Sequence, residues 1–190
     1  MIKELILKNR SYRRFYQDYK IDATVLRNLV DLARISPSSA NLQPLKFIIS
    51  CDVFKNATIF QHLSWAGYIP DWSGPGDGEK PSAYITILGD TEICPSFGID
   101  AGIAAQSILL GATEIDLGGC MIGSIKKDLL RSDLQIPSQF EILYVVALGK
   151  PKEDVVIEKC EVDGSIKYWR DENGIHHVPK RSLNELILNV

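Results

Sequence analysis

Two basic clusters lie near opposite ends of the 190-residue chain. The first contains Arg10, Arg13 and Arg14, with Ser11 among them, and the second contains Lys180 and Arg181. Either cluster alone is typical of a solvated surface patch. Together they would supply the forked arginine donors, the lysine charge and the hydroxyl group that bind an enclosed phosphate monoester.

Motifs for other kinds of chemistry are missing from the sequence. The chain has neither G-x-x-x-x-G-K-[ST] nor a G-x-G-x-x-G that follows a strand. It also lacks G-x-S-x-G, and its four cysteines and three histidines do not show metal-ligand spacing. Cys120 is interpreted as a small packed residue. We therefore expect no metal, reduced thiols, and a bound mononucleotide cofactor that brings the reactivity.

Residues 37–44 (PSSANLQP), which we call the amide loop, present small and amide side chains between two prolines. Its polar members are Ser38, Ser39, Asn41 and Gln43. The stretch contains no acid, no base and no residue that would act as the partner of a nucleophile. The loop thus carries functional polar groups without a local partner.

Composition limits the classes of partner. The length suits one sizeable core, so we expect a single domain over residues 1–190. The net charge of −3 argues against a protein that binds nucleic acid or an anionic membrane. No apolar run approaches about 18 residues and the N-terminus shows no cleavage signature, so we expect a cytoplasmic protein without a membrane span.

The hydrophobic pattern predicts an α+β fold, with a sheet core and helices packed on it. Helices are predicted at 2–8, at 21–36 with Asp22 as N-cap, at 97–115, and near the C-terminus. Strands are predicted at 47–51, 82–90 and 140–151, and a strand followed by a short helix at 116–130. A hairpin is predicted over 155–174 with Asp163 and Gly164 at its turn.

The predicted helix at 97–115 is apolar or small almost all round, with Asp100 and Gln106 as isolated polar points. A helix of that kind is buried on every side. Its small residues, Ala101, Gly102, Ala104 and Ala105, would allow close approach of a helix from a second subunit. The helix could also be covered by the sheet and neighbouring elements of its own chain, but we favour a homodimer.

Five motifs occur in one order along nearly the whole chain. They are R-S-x-R-x-F at 10–15, P-S-S-x-N-x-Q-P at 37–44, the small-residue helix from Asp100, L-G-G-C-x-I-G at 117–123, and P-K-R at 179–181. Each motif alone is weak, but the ordered set resembles the FMN-dependent nitroreductase family. The resemblance implies a central, mostly antiparallel sheet flanked by helices, in an intertwined homodimer.

The same resemblance implies an FMN-dependent oxidoreductase. NAD(P)H would reduce the flavin and leave, and a nitroaromatic, a quinone or a similar acceptor would then be reduced in the same place by a ping-pong mechanism. The flavin N5 carries the chemistry, so no catalytic side chain is expected. Two alternatives remain: a non-catalytic FMN-binding or storage protein, and another flavoenzyme on this fold, such as a reductive dehalogenase or a flavin-fragmenting enzyme.

The resemblance also implies a set of cofactor-binding residues. These are Arg10, Ser11, Arg13, Pro37, Ser38, Ser39, Asn41, Gln43, Gly118, Gly119, Lys180 and Arg181. The amide loop would reach the flavin from the other subunit, and the two glycines would let the backbone approach N5.

Two departures from the family pattern and one loop add further expectations. Asn9 stands where many relatives have another arginine, so the phosphate would depend more on Arg13 and Arg14. Asp116 replaces a common glycine and still tolerates a left-handed backbone. In the loop at 64–78, the aromatic residues Trp65, Tyr68 and Trp72 either form a partial substrate lid or only cover the core.

Overall fold

A computed structural model describes residues 1–161 and 164–188. The helices are α1 (Ile2–Lys8), α2 (Ala23–Arg34), α3 (Val53–Phe60), α4 (Asp100–Glu114), α5 (Lys127–Asp133) and α6 (Leu183–Leu186), with a 3-10 turn at Ser39–Asn41. The strands are β1 (Phe15–Tyr16), β2 (Leu45–Ser50), β3 (Ala83–Asp90), β4 (Gly118–Ile122), β5 (Phe140–Pro151), β6 (Val155–Lys159), β7 (Trp169–Arg170) and β8 (His176–Lys180).

The main sheet has five strands, and every pair in it is antiparallel. β5 is its central strand: it pairs with β3 along one edge, and with β4 and then β1 along the other. β2 pairs with the far side of β3. The predicted α+β fold with an antiparallel sheet and flanking helices is therefore confirmed.

Both faces of β3 are buried, because helices cover the sheet on each side. On one face Ile85 and Ile87 pack with α2 and α4, through residues such as Leu29 and Ile108. On the other face Tyr84 packs among residues of α3, α5 and the 64–78 loop. Burying one leucine-sized side chain contributes about 1.5–3 kcal/mol, so these two layers hold the sheet that positions the site.

Helix starts are fixed by side-chain caps that the sequence predicts. The Asp22 carboxylate accepts hydrogen bonds from the N–H groups of Thr24 at 2.8 Å and Val25 at 3.1 Å. Asp52 accepts one from the N–H of Lys55 at 2.8 Å, which begins α3. Each cap satisfies donors that the first helical turn leaves unpaired.

α4 differs from the prediction that every side of it is buried. Ala101, Ala104 and Ala105 lie in the core of their own chain, whereas Gly102 and Gln106 are exposed. The helix therefore presents a narrow uncovered strip. Of the four small residues expected at a subunit contact, Gly102 is the one on that strip.

The two strands of the predicted hairpin, β6 and β7, are not neighbours in the described structure, since β8 lies between them. Asp163 lies outside the described residues, and the hairpin within them joins β7 to β8 across 171–175. Gly174, at a φ of +81°, supplies the left-handed conformation there. β6 pairs with β8 in parallel, which makes a small three-stranded sheet.

No helix within 1–161 or 164–188 combines the length and the apolar character that crossing a membrane requires.

A substitution at Gly119 tests how closely β4 packs against β5. A Cβ at Gly119 would lie 2.6 Å from the backbone oxygen of Ala147 on β5, and backbone cannot move aside cheaply. We expect Gly119→Ala to destabilise the protein by roughly 1–3 kcal/mol, measured by denaturant unfolding. Gly123→Ala is the control, because its Cβ would come no closer than 3.4 Å to the Tyr144 ring. Equal stability of the two variants would contradict this account.

Candidate functional site

The two basic clusters meet around one cavity of about 380 Å³, which we call the basic pocket. Its lining residues are Asn9, Arg10, Ser11, Arg13, Gln106, Leu109, Met121, Tyr168, His176, Val178 and Lys180. Residues 10–13 connect α1 to β1, and the Tyr12 N–H donates to the Gly119 carbonyl at 3.0 Å, which holds this segment against β4. Lys180 ends β8, so the small sheet carries the second cluster to the first.

The cations of the basic pocket are not neutralised by acidic side chains. Arg10 donates to the Ile6 carbonyl at 2.6 Å, and its buried Nε has no hydrogen-bond partner within 1–161 and 164–188. Within the described part of the chain, none of Arg10, Arg13 and Lys180 forms an ion pair with a carboxylate. Uncompensated positive charge in a cavity attracts an anionic ligand.

Glu153 fixes the backbone of the first basic cluster. Its buried carboxylate accepts hydrogen bonds from the N–H of Arg13 and, at 3.1 Å, from the N–H of Arg14. Arg170 on β7 donates to its other oxygen at 2.8 Å. One carboxylate thus links the segment before β1, the region after β5, and the small sheet.

Arg13 lies deeper than the other cations of the basic pocket and contacts neutral groups. Its Nη1 donates to the Ser11 carbonyl at 3.1 Å and lies 3.2 Å from Nε2 of His176. Its guanidinium lies 4.8 Å from the centre of the Tyr168 ring. Burial, and then the charges of Arg13 and Arg170, lower the pKa of His176 to about 4. His176 is therefore neutral at physiological pH.

A second cavity of about 200 Å³, which we call the aromatic pocket, adjoins the basic pocket. Both are lined by Arg13, Met121 and Tyr168, and the aromatic pocket also includes Trp65 and Cys120. Burial raises the pKa of the Cys120 thiol, so it is protonated and poorly nucleophilic, as expected for a packed residue. Together the pockets suit an elongated ligand with an anionic end and a flatter end.

The three lid candidates occupy different environments. Trp65 is buried and packs on Phe60, with ring centroids 5.8 Å apart, and it also forms a wall of the aromatic pocket. Tyr68 is exposed and lies 4.9 Å from Tyr168, centroid to centroid. Trp72 lies under the guanidinium groups of Arg14 and Arg170, outside the lining of both pockets.

The amide loop is held at the start of α4 by Asp100. Ser38 donates its hydroxyl to Asp100 at 2.5 Å, and Ser39 donates both its N–H and its hydroxyl, at 2.9 and 2.8 Å. Burial alone would raise the pKa of Asp100, but these hydrogen bonds lower it below its ordinary value. Asp100 therefore acts as the anchor of the loop, a role that its isolation in the sequence did not reveal.

Within one chain the amide loop and the basic pocket are separate. Pro37, Ser38 and Gln43 line a cavity of about 160 Å³ beside α2, and none of the amide loop lines the basic pocket. Left-handed φ angles of +54° at Asn41 and +53° at Gln43 accompany the 3-10 turn of the loop, and both residues are exposed.

The glycines of β4 are explained by packing inside the chain. A Cβ at Gly118 would lie 2.5 Å from the Tyr12 ring, and at Gly119 it would meet the Ala147 carbonyl. Neither glycine lines the two pockets, whereas the following Cys120 and Met121 do.

Two members of the basic clusters lie outside the basic pocket. Arg181 is exposed and lies 3.8 Å from Glu185. Arg14 lies 3.2 Å from Glu79, so it contributes to the fold beside Trp72 and not to the pocket.

The structure adds pocket residues that sequence reasoning missed. They are Gln106, Met121, Tyr168, His176 and Val178. Gln106 had a signal, since it is a polar residue in an otherwise apolar helix. Tyr168 and His176 had none, because the β7–β8 hairpin brings them there and the sequence analysis predicted a different hairpin, over 155–174.

The comparisons with known proteins all indicate the same family. A model described as "Nitroreductase family" matches residues 6–66 and 96–150, more than half of the chain. An NADH dehydrogenase/NAD(P)H nitroreductase of Archaeoglobus fulgidus is 25% identical over 159 residues, which cover 80% of this chain and 86% of the relative. The FMN reductase (NADPH) of Bacillus subtilis is 27% identical over 162 residues, 78% of this chain but 65% of the longer relative.

A solved structure shows the same fold over the whole chain. It is a nitroreductase from Desulfovibrio desulfuricans in complex with FMN, with a TM-score of 0.72 at 23% identity. The superposition covers 100% of this chain and 96% of that one.

The neutral state of His176 predicts how stability depends on pH. Because the folded-state pKa of about 4 lies below the unfolded value of about 6.5, the unfolded chain binds a proton first. The contribution of neutral His176 to the free energy of unfolding is therefore fully present above about pH 6.5, and it is lost as the pH drops towards 4. Denaturant unfolding at several pH values should show a shallower fall in His176→Gln. An identical slope in both proteins would contradict the assignment.

Proposed function

Because the chain belongs to the nitroreductase family, we propose that it binds FMN in the basic and aromatic pockets and passes electrons from NAD(P)H to a second small molecule. The predicted class of enzyme, an NAD(P)H-dependent oxidoreductase with FMN as cofactor, agrees with the names of the relatives. Nitroaromatics and quinones are the acceptors that we propose.

One observation carries this proposal: three cations surround the basic pocket without a carboxylate partner in the described chain. A phosphate monoester is the ligand that suits them, since it carries up to two negative charges and several acceptor oxygens. The buried Nε of Arg10 has no hydrogen-bond partner among the described residues and is a donor for such an oxygen. Ser11 and Lys180 complete the donor set.

The neighbouring aromatic pocket fits the flat end of the same ligand. Met121 and Tyr168 line both pockets and would contact the part of the ligand that joins its phosphate to its ring. When bound, FMN supplies two-electron chemistry, taking a hydride from reduced nicotinamide and reducing the acceptor. The protein supplies orientation and walls, and the protonated Cys120 offers no competing nucleophile.

We further propose that the two substrates react in turn by a ping-pong mechanism and that both use the same face of the flavin. Trp65 closes one side of the aromatic pocket and is fixed by its packing on Phe60. A single access then serves the nicotinamide first and the acceptor after it. Recognition by shape and stacking would accept several planar molecules.

The active unit that we propose is a homodimer whose sites are completed across the interface. α1 buries none of its residues in the single chain, and Ile2, Ile6 and Leu7 are about half exposed or more. A seven-residue helix is not stable alone. We therefore propose that a second subunit covers this apolar surface. The amide loop, which is separate from its own chain's pocket, would supply its polar groups to the FMN of the partner.

The function is tested on the purified protein after saturation with FMN. We expect a yellow protein that releases FMN, not FAD, on heating, and whose flavin absorbance bleaches when NADH or NADPH is added anaerobically. Adding a quinone should restore the colour. Retained FMN that neither nicotinamide reduces would favour the storage alternative, and no flavin binding would reject the proposal.

Adjacent residues provide a matched control for the phosphate site. Lys180→Ala removes a charged hydrogen bond of roughly 1.5–3 kcal/mol, so FMN should bind roughly 10- to 100-fold more weakly in fluorescence titrations. Arg181→Ala removes the same charge one residue away, at an exposed side chain beside Glu185, and should change affinity much less. Equal losses would show that the effect is one of net charge.

The shared site is tested by complementation between two defective proteins. Mixing Arg13→Ala with Asn41→Ala should give heterodimers with one site free of both defects, so flavin binding and activity return. If each site lay within a single chain, every heterodimer site would retain one defect. Proven subunit exchange without recovery would overturn the shared site.

A further inference from the structure

Three neutral groups hold the guanidinium of Arg13. The Ser11 carbonyl and Nε2 of His176 lie 3.1 and 3.2 Å from Nη1, and the Tyr168 ring lies 4.8 Å from the guanidinium carbon. The carboxylate of Glu153 accepts hydrogen bonds from Arg170 and from the backbone N–H groups of Arg13 and Arg14. It forms no ion pair with the side chain of Arg13 among the described residues. The side-chain charge of Arg13 is therefore oriented but not neutralised.

His176 can play this part only as a neutral acceptor. Arginine has donors and no acceptor, so the contact requires a lone pair on Nε2 and places the ring proton on Nδ1. The side chain is 1% exposed, and Tyr168 packs on it with ring centroids 5.2 Å apart. Its position on β8 is fixed by the backbone, because the backbone N–H of His176 donates to the Asp154 carbonyl at 2.9 Å.

We propose that His176 is a positioning residue that fixes Arg13 without cancelling its charge, so that the charge acts on the phosphate-bearing ligand. This inference rests on the proposed function. A carboxylate at position 176 would orient Arg13 equally well, but it would form an internal ion pair and compete with the ligand. The choice of a neutral acceptor preserves affinity for an anion.

Two substitutions at His176 that introduce side chains of nearly equal size separate the effect of orienting Arg13 from the effect of adding a negative charge. His176→Gln keeps a neutral acceptor, and we expect FMN to bind within about threefold of the wild type. His176→Glu adds a negative charge at the same place, and FMN should bind roughly 10- to 100-fold more weakly, the value of one charged hydrogen bond. The measurement is a fluorescence titration of the full-length apoprotein with FMN.

Two further variants serve as controls. Val156→Glu makes the same change of net charge at a position on β6 that is 43% exposed, and it should leave affinity unchanged. His176→Leu removes the acceptor without adding charge, and it should weaken FMN binding about tenfold relative to His176→Gln. This second comparison stands even if His176→Glu does not fold.

The outcomes distinguish this inference from the proposed function. If the wild type does not bind FMN, the proposed function fails. If it binds FMN but the Glu and Gln variants bind equally well, or the Leu and Gln variants do, the role of His176 is overturned alone. A loss in Val156→Glu as large as in His176→Glu would also overturn it.

Discussion

The buried carboxylate of Glu153 is the constraint on which the site depends. It joins the backbone before β1 to Arg170 of the small sheet through three hydrogen bonds. A carboxylate with a nearly inaccessible side chain is tolerated only when it is paired, and breaking such a pair costs about 3–5 kcal/mol. The two parts of the chain that line the basic pocket are therefore held together by a group that lines neither the basic nor the aromatic pocket.

The placement of Glu153 also decides where positive charge remains. Because it binds Arg170 and backbone N–H groups, it does not neutralise the side chain of Arg13. Arg14 is compensated by Glu79, and Arg181 lies beside Glu185. The basic residues thus divide into compensated ones that support the fold and uncompensated ones that face the pocket, a division that residue type alone does not show.

The sequence predicted those parts of the fold that depend on local patterns. The apolar face and Asp22 cap defined α2, and the continuous apolar run defined β3. The meeting of the two basic clusters was also expected, since both are needed for a phosphate. His176 and Tyr168 were not predictable, because the antiparallel pairing of β7 with β8 brings them together and the parallel pairing of β6 with β8 was not expected. The covered side of α4 likewise depends on tertiary packing.

The match to the family model ends at residue 150, and the groups that control Arg13 come after it. Glu153 and His176 act on Arg13 directly, and Tyr168 and Lys180 line the pocket beside it. The matched part supplies the arginine segment, the amide loop and every strand of the main sheet except β3. In the role that we propose for His176, residues beyond the segment matched by the family model control how much of the Arg13 charge would act on an anionic ligand.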